Sequence, residues 1–310
     1  VALTEIDRRL HASYPNRLGN PALMGYSMGA FESLFVAATG PTNQYCVVTK
    51  GRVLRFLEGK QGVKEVRIAP VTNQLPLIQF DRYVAISPPV RLMYGIAKLD
   101  EFYRAPLKWR ATNRTDNIEN TFLKVAALSK DKLTPQTSLP FSAIESKFLI
   151  GLTFRFILRD VIYTSQQRHN QGVLHHTIWN WRREPVYQEI LRYSYRDYFE
   201  KFVIPYYQSR GMALPAETLE KAGDLRTYDA SLHANLDIRV ICNENDFLLA
   251  DEDLTWLHAT FGPEHLTVFP QGGHLGNLSN PKVQKAILAA LTPMRPPDPK
   301  PEEPSKNLTP

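Results

Sequence analysis

Cysteine is almost missing from this chain: Cys46 and Cys242 are the whole complement in 310 residues. That scarcity excludes a disulfide-stapled scaffold and a cysteine zinc site, and it leaves open whether the two pair with each other. Two cysteines assign no redox compartment. No apolar run approaches the ~20 residues that a membrane-spanning helix needs, so no membrane span is expected. Internal repeats are lacking as well. With 43% hydrophobic and 22% charged residues, the composition argues against a collagen, a coiled coil or wholesale disorder. An initiator Met is also absent, and the chain opens on Val1 without a signal-peptide pattern. The expectation is a processed chain or a part of a longer one, and its compartment stays unassigned.

What is present suffices for a large core without covalent staples. Ala2 to Tyr14 places Leu3, Ile6 and Leu10 at helical spacing and stops at Pro15. Pro21 to Gly25 reads as a short buried strand, and Phe31 to Ala38 as a helix. Residues 40–79 contain alternating segments, Tyr45–Val48 and Val63–Ile68, and read as a β-rich excursion. Tyr83–Ser87, Ile238–Cys242 and Leu266–Phe269 are further strand candidates. Helices are predicted over Asp251–Phe261, broken by Gly262-Pro263, and over Pro281–Leu291. Strands alternating with helices imply a parallel α/β sheet.

Between these parts the texture changes. Residues 91–225 hold 20 Lys and Arg against 14 Asp and Glu, so the formal net charge of +6 sits there entirely. They also hold 20 of the 33 aromatic residues, with helical periodicity through Phe148, Leu152, Phe156 and Leu158–Ile162. The expected organisation is a first core part at 1–90, a helical block at 91–225, a second core part at 226–292, and a disordered tail at 293–310, where seven of eighteen residues are Pro.

Chemistry enters with Gly25-Tyr26-Ser27-Met28-Gly29, a G-x-S-x-G run between a predicted strand and a predicted helix. A nucleophilic serine on a tight strand-to-helix turn projects its Oγ clear of the backbone, and flanking glycines leave room for the turn. The N–H of the next residue, Met28, then points at the oxygen of an attacked carbonyl, where the helix N-terminus favours developing negative charge. A serine of this kind needs an acid and a histidine later in the chain, each in a loop after a strand. Asp246 follows the strand Ile238–Cys242, and His274 follows Leu266–Phe269 within Gly272-Gly273-His274-Leu275-Gly276. Glu244, Asp251 and Asp253 are rivals for the acid. Asp251 and Asp253 begin a predicted helix, where capping is the ordinary use of such residues.

On Gly25–Gly29, on Val240–Phe247 and on Gly272–Gly276 the chain resembles the α/β-hydrolase superfamily, in particular its bacterial esterase- and lipase-like serine hydrolases. The resemblance covers residues 1–90 and 226–292. It implies an α/β-hydrolase-type, mostly parallel sheet carrying a catalytic triad. Ser27 would be its nucleophile, His274 its general base and Asp246 its orienting carboxylate. Met28 would give one oxyanion donor through its backbone N–H, and the second donor is unassigned. Tyr26 would be a candidate substrate contact. Residues 91–225 would form a cap over the site. One departure stands out: the family takes its second oxyanion donor from a loop well before the nucleophile, and only 26 residues precede Ser27. The expectation is that the first strands and that loop lie before Val1, with residues 40–79 the sole internal substitute.

The expected function is cleavage of a small-molecule carboxylic ester with an apolar or aromatic acyl group, through an acyl-enzyme and without a cofactor. The same triad could act on a thioester, amide, lactone or carbon–carbon bond. A third reading is a non-catalytic relative that docks onto an acidic partner or a membrane surface through its basic block. Tyr193, Tyr195, Tyr198, Tyr206 and Tyr207 could line a pocket or simply fill a core. Arg182 and Arg183 could attract anions, although no nucleic-acid motif accompanies them, so no nucleic acid is expected. His169, His175 and His176 lack a carboxylate or Cys partner at ligand spacing, so no metal is expected. Oligomeric state leaves no trace in the sequence.

Overall fold

Short apolar strands alternating with helices set the frame of the computed structural model, which describes residues 2–15, 17–19, 21–39, 52–57, 63–68, 80–129, 138–178, 181–211 and 215–292. The strands are β1 (Ala22–Tyr26), β2 (Arg52–Leu57), β3 (Val63–Ile68), β4 (Arg82–Ile86), β5 (Ile238–Asn243) and β6 (Leu266–Phe269). The helices are α1 (Ala2–Ser13), α2 (Met28–Thr39), α3 (Leu92–Tyr103), α4 (Arg114–Leu128), α5 (Ala143–Arg168), α6 (Glu184–Ile190), α7 (Tyr195–Tyr198), α8 (Ile204–Ser209), α9 (Ala216–Ala222), α10 (Asp229–Ala234), α11 (Asp251–His265) and α12 (Pro281–Leu291).

Strands β1, β4, β5 and β6 form a four-stranded parallel sheet in the order β1-β4-β5-β6. Parallel strands covered on both faces read as continuous apolar runs, and β4 is buried at all five positions. Alternation splits their side chains between two clusters. Tyr83, Ala85, Val240 and Cys242 pack with Ala30, Leu34 and Ala37 of α2, Leu232 of α10, and Leu257 and Phe261 of α11. Val84, Ile86 and Ile241 pack on the other face with Val283 and Ile287 of α12. The expected mixed α/β class with a parallel sheet is what the structure holds. Strands β2 and β3 lie in the expected β-rich stretch and pair antiparallel; the rest of 40–79, including Tyr45–Val48 and Cys46, lies outside the described residues. Cys242 is a free thiol whose pKa burial pushes up to about 12. The tail beyond residue 292 is also outside the described residues.

From β4 to β5 the chain runs through helices α3 to α10. Its outgoing and returning ends lie side by side: Arg91 bridges Asp224, the Leu92 N–H donates to Gly223 O at 2.9 Å, and the Leu225 N–H donates to Val90 O at 3.0 Å. Within this stretch α3 and α5 cross closely. A Cβ on Gly151 would lie 2.2 Å from the Tyr103 nitrogen, so only glycine fits there. Beside the crossing, buried Arg155 donates to Asp100 Oδ1 at 2.9 Å, and the same carboxylate accepts the backbone N–H groups of Tyr195 and Arg196. Helix α5 opens with a capping box in which the Ser142 hydroxyl accepts the Glu145 N–H and the Glu145 carboxylate accepts the Ser142 N–H. Lys124 of α4 adds an ion pair to Glu145, holding that carboxyl at about 2.

Two boundaries differ from expectation. Helix α2 begins at Met28 rather than Phe31, because Ser27 already acts as the first turn's acceptor: its carbonyl takes the N–H groups of Ala30 and Phe31. At α11 the break falls at Gly262 (φ 63°) as expected, but a further helical turn resumes from Pro263, a residue suited to a helix start.

Candidate active site

Strand β1 delivers the chain to Ser27 in a left-handed backbone conformation, φ 53°, which a side chain adopts only when its surroundings impose it. The Ser27 N–H donates to Ile86 O of the neighbouring strand at 2.9 Å. On the other side, Gly25 touches the first turn of α2: a Cβ there would lie 2.0 Å from Gly29 O. Gly25 is therefore glycine for space. Gly29 is not, since a Cβ on it meets nothing within 4 Å, which corrects the expectation that both flanking glycines make room for the turn.

His274 reaches Ser27 from the loop after β6. That loop turns through Gly272 (φ 150°), Gly273 (φ 55°) and Leu275 (φ 64°). His274 Nε2 lies 2.7 Å from Ser27 Oγ, and its Nδ1 lies 2.9 and 3.1 Å from the two Asp246 oxygens. A carboxylate only accepts, so the proton sits on Nδ1 and the Nε2 lone pair faces the Ser27 hydroxyl. The His274 and Asp246 side chains are 8% and 1% exposed, so water competes little for either bond. Asp246 Oδ1 also accepts the Leu248 N–H at 2.9 Å. Phe247 lies edge-on to the imidazole at 5.5 Å and packs at 5.0 Å against the tilted ring of Phe102 of α3, which brings the helical stretch to the site.

The rival carboxylates are elsewhere. Glu244 points to solvent, and its N–H belongs to the sheet, donating to Phe269 O. Asp251 is exposed in the first turn of α11. Asp253, fully buried, accepts the Ala250 N–H at 3.0 Å and forms an ion pair with Arg91 at 2.7 Å. It closes the helix from its third position, whereas the N-cap position itself is Ala250.

Met28, as the first residue of α2, carries an N–H without an intrahelical acceptor, and its side chain is 50% exposed. Tyr26, one residue before Ser27, is 40% exposed. The five tyrosines divide. Tyr198, Tyr206 and Tyr207 line a cavity of about 290 Å³ together with Gln166, His169 and Phe202. Tyr193 instead packs on Phe202, and half-buried Tyr195 donates its hydroxyl to Phe154 O. Neither Ser27 nor His274 lines that cavity. His176 contacts Glu189 at 2.7 Å and His169 lies against the Tyr206 ring. Among the described residues no group of three His, Cys, Asp or Glu side chains is placed to hold a metal, and no helix is long and apolar enough to cross a membrane.

Asn243, Asn245 and Asn277, to which the sequence alone assigns no role, surround the His274 loop with side-chain hydrogen bonds. Their signal in the sequence is a pair of asparagines just before the acid in Asn243-Glu244-Asn245-Asp246, a pattern that also suits an ordinary turn.

No family model matches the chain, and no curated protein matches it. Among solved structures, the thioesterase domain from the curacin biosynthetic pathway aligns over 93% of this chain and 70% of its own, at 16% identity and a TM-score of 0.29. A likeness that slight carries no argument about activity, and the chemistry of the site rests on its geometry.

Proposed function

We propose that the chain is a serine hydrolase of the α/β-hydrolase type, cleaving a carboxylic ester of an apolar or aromatic acyl group through an acyl-enzyme. The observation that carries this reading is His274 set between Ser27 Oγ at 2.7 Å and Asp246 at 2.9 Å. In the proposed reaction neutral His274 takes the Ser27 proton as Oγ attacks the carbonyl carbon. The resulting imidazolium is stabilised by Asp246, which also keeps the remaining proton on Nδ1. The tetrahedral oxyanion is met by the Met28 N–H and the N-terminus of α2. His274 then protonates the leaving alkoxide, and the ester C–O bond breaks to leave an acyl group on Ser27. Water, deprotonated by the same imidazole, attacks that acyl carbon; the bond to Ser27 Oγ breaks, the imidazolium returns its proton to Oγ, and the carboxylic acid leaves. No step draws on a cofactor.

An apolar acyl group suits the surface beside Ser27, where its chain neighbours Tyr26 and Met28 are each more than a third exposed. Residues 91–225 serve in this reading as the cap, meeting the site through Phe102 and Phe247. The triad alone leaves the bond open, so the test pairs two experiments. The purified protein is treated with a fluorophosphonate probe, and matched esters, thioesters and amides of one aromatic acid are compared as substrates. The expected result is labelling of wild type but not of Ser27→Ala, with the ester hydrolysed fastest. Equal inertness of wild type and Ser27→Ala would remove the proposal; a preference for thioester or amide would keep the triad and change the bond.

A further inference from the structure

Asn243 ends β5 with its side chain 3% exposed, and faces the side chain of Asn277 across the His274 loop. Amide meets amide in both directions: Asn277 Nδ2 donates to Asn243 Oδ1 at 2.7 Å, and Asn243 Nδ2 donates to Asn277 Oδ1 at 3.3 Å. Asn243 Nδ2 also donates to Gly273 O at 2.7 Å, and Asn277 Nδ2 to Gln271 O at 3.0 Å. From the other side, Asn245 Oδ1 accepts the Gly273 N–H at 2.7 Å.

We propose that Asn243, Asn277 and Asn245 form a clamp that positions His274 between Ser27 and Asp246; the proposal rests on the serine-hydrolase reading of that site. Both backbone groups of Gly273, the residue directly before His274, are held by side chains from the segment that carries Asp246. The acid and the base are thus fixed to one another by a second set of bonds, besides the Asp246–His274 contact itself. The clamp also accounts for Gly272. A Cβ at that position would lie 2.3 Å from Asn277 Cγ and 2.7 Å from Asn243 Oδ1, so the amide pair occupies the space that any other side chain would need. Amides fit here because each both donates and accepts; a carboxylate of the same shape would turn a lone pair toward Gly273 O.

The test uses Asn243→Asp, Asn277→Ala and the more exposed Asn245→Ala in the full chain. Ile162→Val, a core change in the helical block, serves as a stability control. Three quantities are read: the rate constant and pH profile of fluorophosphonate inactivation, the thermal midpoint, and the downfield proton resonance of the His274 Nδ1–H bonded to Asp246, assigned by its loss in His274→Ala. Displacing a reacting group by about an ångström costs on the order of 10²-fold. Asn243→Asp and Asn277→Ala are therefore expected to slow inactivation about 10²-fold and to shift its pH midpoint. Asn245→Ala, which removes one hydrogen bond, is expected to slow it on the order of tenfold. Ile162→Val should lower the thermal midpoint without either effect. Inactivation rates and pH profiles within twofold of wild type, or falling only with the folded fraction as in the control, would overturn the clamp. Should wild type itself resist the probe, the hydrolase reading fails separately and the resonance decides: its loss or broadening in Asn245→Ala and Asn277→Ala supports the clamp, and its persistence unchanged overturns it.

Discussion

Replacing Asp100 with Ala removes the centre of the joint between α3, α5 and α7. The Asp100 carboxylate is 3% exposed and accepts from the Arg155 guanidinium at 2.9 Å, the Tyr195 N–H at 3.0 Å and the Arg196 N–H at 3.2 Å. Arg155 is itself 3% exposed, donates to Tyr193 O, and lies over the Tyr103 ring at 4.4 Å. Without Asp100 its charge stays buried with only a carbonyl and a ring for company. Breaking a buried pair from one side costs about 3–5 kcal/mol. The two backbone donors left behind add about 1 kcal/mol each where water does not reach them. The expected loss for Asp100→Ala is thus roughly 5–7 kcal/mol, a large share of a domain's stability. Removing both charges, in Asp100→Leu with Arg155→Met, is expected to cost much less than the sum of the single changes, because no orphan charge remains. Urea unfolding followed by far-ultraviolet circular dichroism measures wild type, Asp100→Ala, Asp100→Leu, Arg155→Met and the double variant. A loss below about 1 kcal/mol for Asp100→Ala, or additive single and double changes, would refute the claim that the pair is a buried, coupled joint.

Three further outcomes are expected. Gly25→Ala would set a Cβ 2.0 Å from Gly29 O, so it should abolish labelling of Ser27 by a fluorophosphonate, whereas Gly29→Ala, with open space around it, should retain it. Glu145 and Asp197 are both held at about 2, Glu145 mainly through Lys124 against its burial and Asp197 mainly through Lys201 against its own. Folded values below the unfolded ones mean that their stabilisation is complete above the ordinary carboxylate range and is lost as pH falls toward 2. Helicity should therefore decline on acid titration through that window, and Glu145→Gln should flatten the decline. Cys242, with its thiol pushed up to about 12 by burial, should resist an aromatic disulfide reagent at pH 8 in a Cys46→Ser background and react only after denaturation.

The parts of the fold that were legible in sequence are those where local pattern and tertiary burial agree. Strands β4 and β5 are buried on both faces, so their apolar runs stand out, and Gly262-Pro263 marks the break in α11 through backbone chemistry alone. The same holds at the site for Gly25, whose lack of a Cβ answers a contact only four residues away. What escaped the sequence depends on partners far along the chain. Asp253 reads as a helix-capping residue and is one, but nothing near it announces its other partner, Arg91, 162 residues earlier. The Asn243–Asn277 pair spans 34 residues, and an asparagine before a turn looks the same whether its amide faces solvent or another amide. Nothing in the sequence separates Gly272 from its neighbour Gly273, although the amide pair is the reason Gly272 is glycine. The tyrosines of 193–207 showed aromatic content but no orientation, and only packing separates those facing a cavity from those filling a core.

The central claim is that Ser27 is a nucleophile activated by His274 under the control of Asp246. The most direct measurement is the rate of fluorophosphonate attachment to Ser27, located by mass spectrometry, as a function of pH in wild type, Ser27→Ala, His274→Ala and Asp246→Asn. The account expects adduct on Ser27 in wild type, at a rate that depends on pH. It expects no adduct in Ser27→Ala, and attachment slowed by several orders of magnitude in His274→Ala and Asp246→Asn. Adduct formation in wild type that is independent of pH and unchanged by His274→Ala would contradict it.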